Sequence, residues 1–259
     1  MTSRGAIRWA DPIGAVLLLT AMWEAASRLG VLPARDFPPA TVILKAFLED
    51  VQTSSLLNSV KESLSAWALG LAIVTVTAVP IGLAIGSLRV LDRATQLLIE
   101  LVRPIPTVAL LPLLILLYGT GLQLALVLVV LAAFWPLLIQ TIYGVRDVDP
   151  VTLDTGRSYG LGGVRQYWHI VIPSSLPYVA TGMRLAATIA LVVAIAASLI
   201  AGGSGLGAAI SNAAGSGASD LMYARILVAG LLGLAVTTVF FRLERRLLRW
   251  HHSHREVPA

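Results

Sequence analysis

The chain has 259 residues, 57% of them hydrophobic and only 13% charged, with a net charge of +5 and no cysteine. That balance excludes an ordinary water-soluble domain, which carries about 25% charged residues. The absent cysteines exclude a disulfide framework, a thiol redox centre and a thiolate metal site.

The apolar residues gather into windows of roughly the 20 residues that a helix needs to cross a bilayer core. In chain order these fall at 13–29, 64–85, 97–118, 122–142, 177–200 and 226–241. The expected fold is an all-α polytopic membrane protein, a single transmembrane domain over 1–259 with about six spans. Glu24 interrupts the first window, whose most apolar part is 13–26. Arg4 and Arg8 before an apolar run also fit a signal peptide, but Trp23-Glu24 follows and no Ala-x-Ala cleavage site does, so the segment reads as a retained helix.

The positive charge could point to nucleic acid, but its placement is that of loops flanking membrane helices, and no nucleic-acid partner is expected. Arg4 and Arg8, then Arg89 and Arg93, then Arg146, Arg157 and Arg165, then Arg242, Arg245, Arg246, Arg249 and Arg255 all fall on one side if six spans alternate. That side is expected to be the cytoplasm, with both termini inside. The opposite side receives a segment where Arg35 and Lys45 are balanced by Asp36, Glu49 and Asp50, and a Gly/Ser-rich loop over 202–220.

Within the spans, Gly82-x-x-x-Gly86 and the small residues of 186–201 suit close helix approach in lipid. Pro104, Pro106 and Pro112 interrupt the third window, and freed backbone at membrane depth is tolerated where it lines a cavity or is buried in protein. Thr107, Gln140 and Ser198 are polar pathway candidates, with interhelical hydrogen bonding as the competing role. Arg103 and Arg184 join them, since guanidinium groups pair with planar oxyanions. Both lie near predicted cytoplasmic ends, where snorkelling to the interface is the alternative.

Between the fourth and fifth windows, 144–176 is a long loop that is polar by the standard of this chain. Asp149 before Pro150 predicts a helix start and a short helix to Tyr159. Gly160, Gly162 and Gly163 then break it, and 164–172 predicts a second short amphipathic helix before Pro173 and Pro177. Tyr159, Leu161, Tyr167 and Trp168, beside Arg157 and Arg165, form a knob suited to a partner's groove. An interfacial helix lying on lipid is the competing reading.

No chemistry is legible. There is no P-loop motif, and the cluster Gly202-Gly203-Ser204-Gly205-Leu206-Gly207 follows a predicted span instead of a strand in a βαβ unit. His251, His252 and His254 lie in a terminal basic tail, and His169 has no partner placed by sequence, so neither a metal site nor an enzyme is expected.

Asp154-Thr155-Gly156-x-x-x-Gly160, followed by Ile170-x-Ile172-Pro173 and Leu176-Pro177, resembles the EAA loop of binding-protein-dependent ABC importer permeases. The consensus E-A-A-x-x-x-G…I-x-L-P is matched at Gly160, Ile170 and Pro173, and departs at Asp154, Thr155 and Gly156. The run 103–121, Gly182-Met-Arg-Leu-Ala186 and Gly205-Leu-Gly207 are similar to nitrate, sulfonate, taurine and bicarbonate permeases, and the likeness covers nearly the whole chain. Many relatives carry an acidic residue where this chain has Ser198.

The resemblance implies a type I permease subunit in a bacterial inner membrane, forming the path for a small anionic solute. It implies an ATPase-coupling loop containing Asp154, Thr155, Gly156, Gly160, Tyr167, Trp168 and Pro173. The implied partners are two copies of a cytoplasmic ATP-binding subunit, a second permease subunit, like or unlike this one, and an extracytoplasmic solute-binding protein. No cofactor is bound by this chain; ATP and Mg are used by the ATPase. The competing functional classes are an ATP-independent secondary transporter, which would place ionisable groups within its spans, and a membrane enzyme or scaffold.

Overall fold

A computed structural model describes residues 4–248, with side chains from residue 14 onward except 247. Its regular structure is helical throughout: α1 Arg4–Arg28, α2 Ala40–Asp50, α3 Ser54–Ser87, α4 Arg89–Val102, α5 Leu111–Tyr118, α6 Leu122–Arg146, α7 Pro150–Ser158, α8 Gly163–Gln166, α9 Ile172–Ala201, α10 Leu206–Gly215 and α11 Ser219–Leu247. Among the described residues, α3, α6, α9 and α11 lie in stretches long and apolar enough to cross a membrane, and α4 with α5 makes a bent fifth. The α1 helix covers the first predicted window without belonging to that set.

Helix α6 is the centre, packed between α3 and α9. Leu128, Val129, Ala133, Leu137 and Leu138 of α6 meet Val74 and Ala78 of α3 and Ala186, Ala187, Ala190 and Ala194 of α9, all within one buried cluster. In lipid such packing rests on close backbone approach, because hydrocarbon tails are as apolar as leucine. Gly82 and Gly86 supply it: a Cβ on either would stand 2.7 Å from the Cβ of Thr141 or Val145. The sequence expectation of close packing at this glycine pair therefore corresponds to the α3–α6 seam.

Helix α3 starts ten residues before its predicted window. The Oγ1 of Thr53 accepts a hydrogen bond from the Leu56 N–H and caps the helix, and Leu56 packs on Leu206 and Ile210 of α10. A helical overhang beyond the apolar window is stabilised by this second, smaller core.

The third predicted window is not one helix. Helix α4 begins at Arg89, outside the window, and stops at Val102; a 3-10 turn over Thr107–Leu110 leads into α5, and the two arms bend by 74°. Pro104 and Pro106 lack the N–H that a continuing helix needs; Arg103 still keeps helical angles, at φ −52° and ψ −43°, and the break falls after it. Helix α4 buries no residue: Ile99 packs on the bundle core, while Val90, Leu97, Leu98 and Leu101 face away from it.

A second departure lies at Pro173. In place of a separate amphipathic helix over 164–172, the chain runs on from α8 through a π turn, Tyr167–Val171, straight into α9. The Ile172 N–H reaches back to the Tyr167 carbonyl, and Pro173 then occupies the first turn of α9, where a missing donor is tolerated. The proline is absorbed because the π turn resets the hydrogen-bond register just ahead of it.

Helix α11 is fixed near both ends by ion pairs. Near its start, Arg225 Nε donates to Asp50 Oδ2 at 3.0 Å and Nη2 to Oδ1 at 3.3 Å, while Nη1 donates to the Ala209 carbonyl at 2.9 Å, joining α11, α2 and α10. Near its end, Glu244 Oε2 lies 2.8 Å from Arg184 Nε, and Glu244 Oε1 accepts from the Thr181 hydroxyl at 2.7 Å, joining α11 to α9.

Candidate functional site

The loop between α6 and α9 is a built element. Asp149 Oδ1 accepts the Val151 N–H at 2.9 Å and caps α7, with Pro150 in the first turn; such a cap contributes about 1 kcal/mol. The helix ends in a left-handed stop: Gly160 has φ +78°, its N–H bonds the Arg157 carbonyl, and the Leu161 N–H bonds the Gly156 carbonyl. This is a Schellman closure, in which an L side chain at the glycine position would be strained.

From that stop the chain doubles back, so α7 lies on α8 and the π turn. The contact point is Gly156, which is buried; a Cβ there would stand 2.7 Å from Ile170 Cδ1. The departure from the consensus alanine thus has a local reason, since Ile170 fills the space. Gln166, also buried, donates from Nε2 to the Leu153 carbonyl at 2.9 Å and fixes the pair of helices together.

What remains outside is an apolar and aromatic surface. Tyr159 is 84% exposed and Trp168 62%, with Val151 and Val164 beside them, while Tyr167 is half-buried and meets Trp168 edge-on at 6.2 Å. Asp154 is exposed and pairs with Arg157 at 2.8 Å, a surface contact of little energetic weight. Thr155 turns its hydroxyl to the Val151 carbonyl of its own helix, and Pro173 is exposed. His169 holds Nδ1 2.9 Å from the Arg165 carbonyl. His251, His252 and His254 lie outside the described residues.

The projection is joined firmly to the bundle. Tyr178 of α9 donates its hydroxyl to Asp147 Oδ2 at 2.6 Å, directly after the end of α6. Gly144 allows this approach, because a Cβ there would meet Tyr178 Cβ at 2.7 Å. One residue before Asp147, Arg146 forms an ion pair with Asp92 of α4.

The pathway candidates do not converge. Ser198 is buried, returns its hydroxyl to the Ala194 and Ile195 carbonyls, and lines a cavity of about 240 Å³ with Glu62, Ser63, Ser65 and Ser204, beside the start of α6. There Ser63 Oγ accepts the Leu206 N–H at 2.8 Å and closes the wall against α10. Arg103 lines a different cavity, about 160 Å³, at the opposite end of α6 with Asp92, Gln96, Glu100, Tyr143 and Arg146.

Of the others, Thr107 is half-buried in the 3-10 turn, and Gln140 sets its stem against Gly182, where a Cβ would lie 2.8 Å from Gln140 Cβ. Arg184 belongs to the Glu244 ion pair. Sequence reasoning missed Glu244, Arg225, Asp92 and Ser63. The available signal for Glu244 was a lone carboxylate inside an arginine-rich helix end; for Ser63 there was none.

The comparisons with known proteins agree with this architecture. Residues 78–250 match the family profile of the binding-protein-dependent transport system inner membrane component. SsuC of Escherichia coli strain K12, named for aliphatic sulfonate transport, is 30% identical over 95% of this chain and 92% of its own. The taurine transport system permease protein TauC of the same organism is 28% identical over 92% and 89%. The fold is also that of a bacterial ABC transporter involved in the import of the acidic polysaccharide alginate: TM-score 0.65 and 15% identity, over 93% of this chain and 97% of that one. The chain therefore belongs to the inner membrane components of binding-protein-dependent ABC importers, which are transport permeases and not enzymes.

Proposed function

We propose that this chain forms, with a second permease subunit, the translocation path for a small sulfonate-like anion, and that the α7–α8 projection docks on a cytoplasmic ATPase. The observation that carries the reading is the projection itself. An exposed face of Val151, Tyr159, Val164 and Trp168 stands on a pair of helices fixed to each other by Gly156 and Gln166 and fixed to α9 by an unbroken helical run. Aromatic side chains held rigidly outside are what a partner's groove can bind at low entropic cost.

In this reading Asp154, Thr155, Gly156, Gly160, Tyr167, Trp168 and Pro173 form the coupling loop, and two ATPase copies serve two permease subunits and use ATP with Mg. A binding protein delivers the solute on the other face. The six spans comprise α1, α3, the bent α4–α5 pair, α6, α9 and α11, with both termini cytoplasmic. Ser198 and the hydroxyl-rich cavity around it sit on the delivery side of the path. The solute class follows the names of the relatives, taurine and aliphatic sulfonates.

The test is purification of the tagged chain from native membranes in mild detergent, with the intact complex weighed and its uptake of radiolabelled taurine and alkylsulfonates measured after reconstitution. The expected result is two ATPase copies per complex, reduced at least tenfold in occupancy by Trp168→Ala, and uptake that requires ATP and the binding protein. A chain that transports alone without ATP overturns the reading in favour of a secondary transporter.

A further inference from the structure

Helix α4 is loosely attached to the bundle. It buries no residue, and Val90, Leu97, Leu98 and Leu101 point outward. Both its ends are breaks: Leu88 before it is extended, at φ −112° and ψ 105°, and Arg103–Pro106 after it leads into the 74° bend. Such a segment moves as a unit about its ends, because few packed contacts resist it.

The side-chain ion pair that holds it to α6 is Asp92 with Arg146. Arg146 is the last residue of α6, directly before the coupling loop, and its neighbour Asp147 is bonded to Tyr178 of α9. The cavity of about 160 Å³ beside the pair leaves α4 room to approach α6, and it is lined by Gln96, Glu100 and Arg103 as well. Glu100 is engaged by Gln96, which donates to it at 3.2 Å. A displacement of the loop therefore reaches Arg146 first, and from Arg146 it has a charged contact into a loosely packed helix.

Resting on the permease reading above, we infer that Arg146 and Asp92 are positioning residues for ATP-driven transport: their pairing makes α4, and the proline bend beyond it, follow the coupling loop. A coupling contact needs an element that two sites both bias. Here that element is α4, biased at one end by the loop through Arg146 and continuous at the other with the bend that holds Arg103 and Thr107.

The experiment uses the whole complex reconstituted in liposomes, with ATP hydrolysis measured with and without loaded binding protein, alongside solute uptake. Asp92→Asn and Arg146→Gln are each expected to lower the stimulation ratio at least fivefold with the ATPase still bound, and the exchange Asp92→Arg with Arg146→Asp to restore it to within twofold. The chain has no cysteine, so Asp92→Cys with Arg146→Cys introduces its only two thiols; the protein cross-linked through them by a short bismaleimide is expected to keep its stimulation and the double variant without the linker to lose it. Single variants within twofold of the unaltered complex, an exchange no better than the single changes, or a cross-link that arrests transport overturns the inference. If single variants fail to assemble, the cysteine pair decides. An unaltered complex without any stimulation overturns the permease reading as well, whereas a stimulated one with unaffected variants overturns this inference alone.

Discussion

Arg225 and Asp50, 175 residues apart in the chain, meet as a bidentate buried pair, and the remaining guanidinium nitrogen is taken by the Ala209 carbonyl. Removing one partner of such a pair leaves the other charge buried and uncompensated, at a cost of about 3–5 kcal/mol. Arg225→Met is therefore expected to lower the unfolding temperature in detergent sharply, and Arg225→Met with Asp50→Leu to recover much of the loss. A single variant as stable as the parent would show that the pair holds nothing.

Arg184, a pathway candidate on sequence grounds, pairs with Glu244 at the α9–α11 contact. Arg184→Met is expected to destabilise the protein by a few kcal/mol, since Glu244 is buried, with the solute preference of whatever folds unchanged. Adding Glu244→Met should restore stability. Competition uptake assays with taurine and longer alkylsulfonates check this, and an altered preference in the folded double variant would place Arg184 on the path.

Gly160 closes α7 in the left-handed region at φ +78°, with open space around its Cα. A β-branched residue there costs on the order of 1–3 kcal/mol in backbone strain, too little to unfold the chain and enough to redirect the projection. Gly160→Val is expected to lower ATPase stimulation by loaded binding protein at least tenfold while leaving the helical content measured by circular dichroism intact. Ordinary stimulation in that variant would remove Gly160 from the coupling machinery.

Two glycines of α10 should behave in opposite ways. A Cβ at Gly207 would fall 2.0 Å from the Ile195 carbonyl oxygen and 2.5 Å from Ser198 Oγ, whereas one at Gly215 meets nothing within 4 Å. Gly207→Ala is expected to cost more than about 2 kcal/mol, because backbone must move. Gly215→Ala should be neutral or raise stability by up to about 1 kcal/mol through helix propensity. Thermal unfolding of the two variants side by side measures the difference.

Local signals in the sequence translated well. The α7 helix was legible from Asp149-Pro150 and the glycines after Tyr159, because capping and left-handed closure act over four or five residues. Four of the six windows, 64–85, 122–142, 177–200 and 226–241, fall on long apolar helices, because a bilayer imposes length. Less was legible where short-range and long-range terms compete. Helix α2 was read only as a segment of balanced charge, since its place depends on a partner in α11. Pro173 was read as a boundary, but a π turn five residues long removed the conflict. The reach of α4 beyond its apolar window, and the pairing of Asp92 with Arg146, depend on which helix arrives beside α6, and nothing near residue 92 encodes that.

The unbroken run from Gly163 through the π turn to Ala201 has a mechanical consequence. At 1.5 Å per residue it is a lever roughly 58 Å long, so a tilt of about 5° at the Gly163 end displaces its far tip by on the order of 5 Å. Ser198 and the small cavity beside it lie at that tip. A permease built this way carries a small tilt at its Gly163 end out to Ser198, and Pro173 and Pro177, which look like breaks in the sequence, are seated where the beam stays whole.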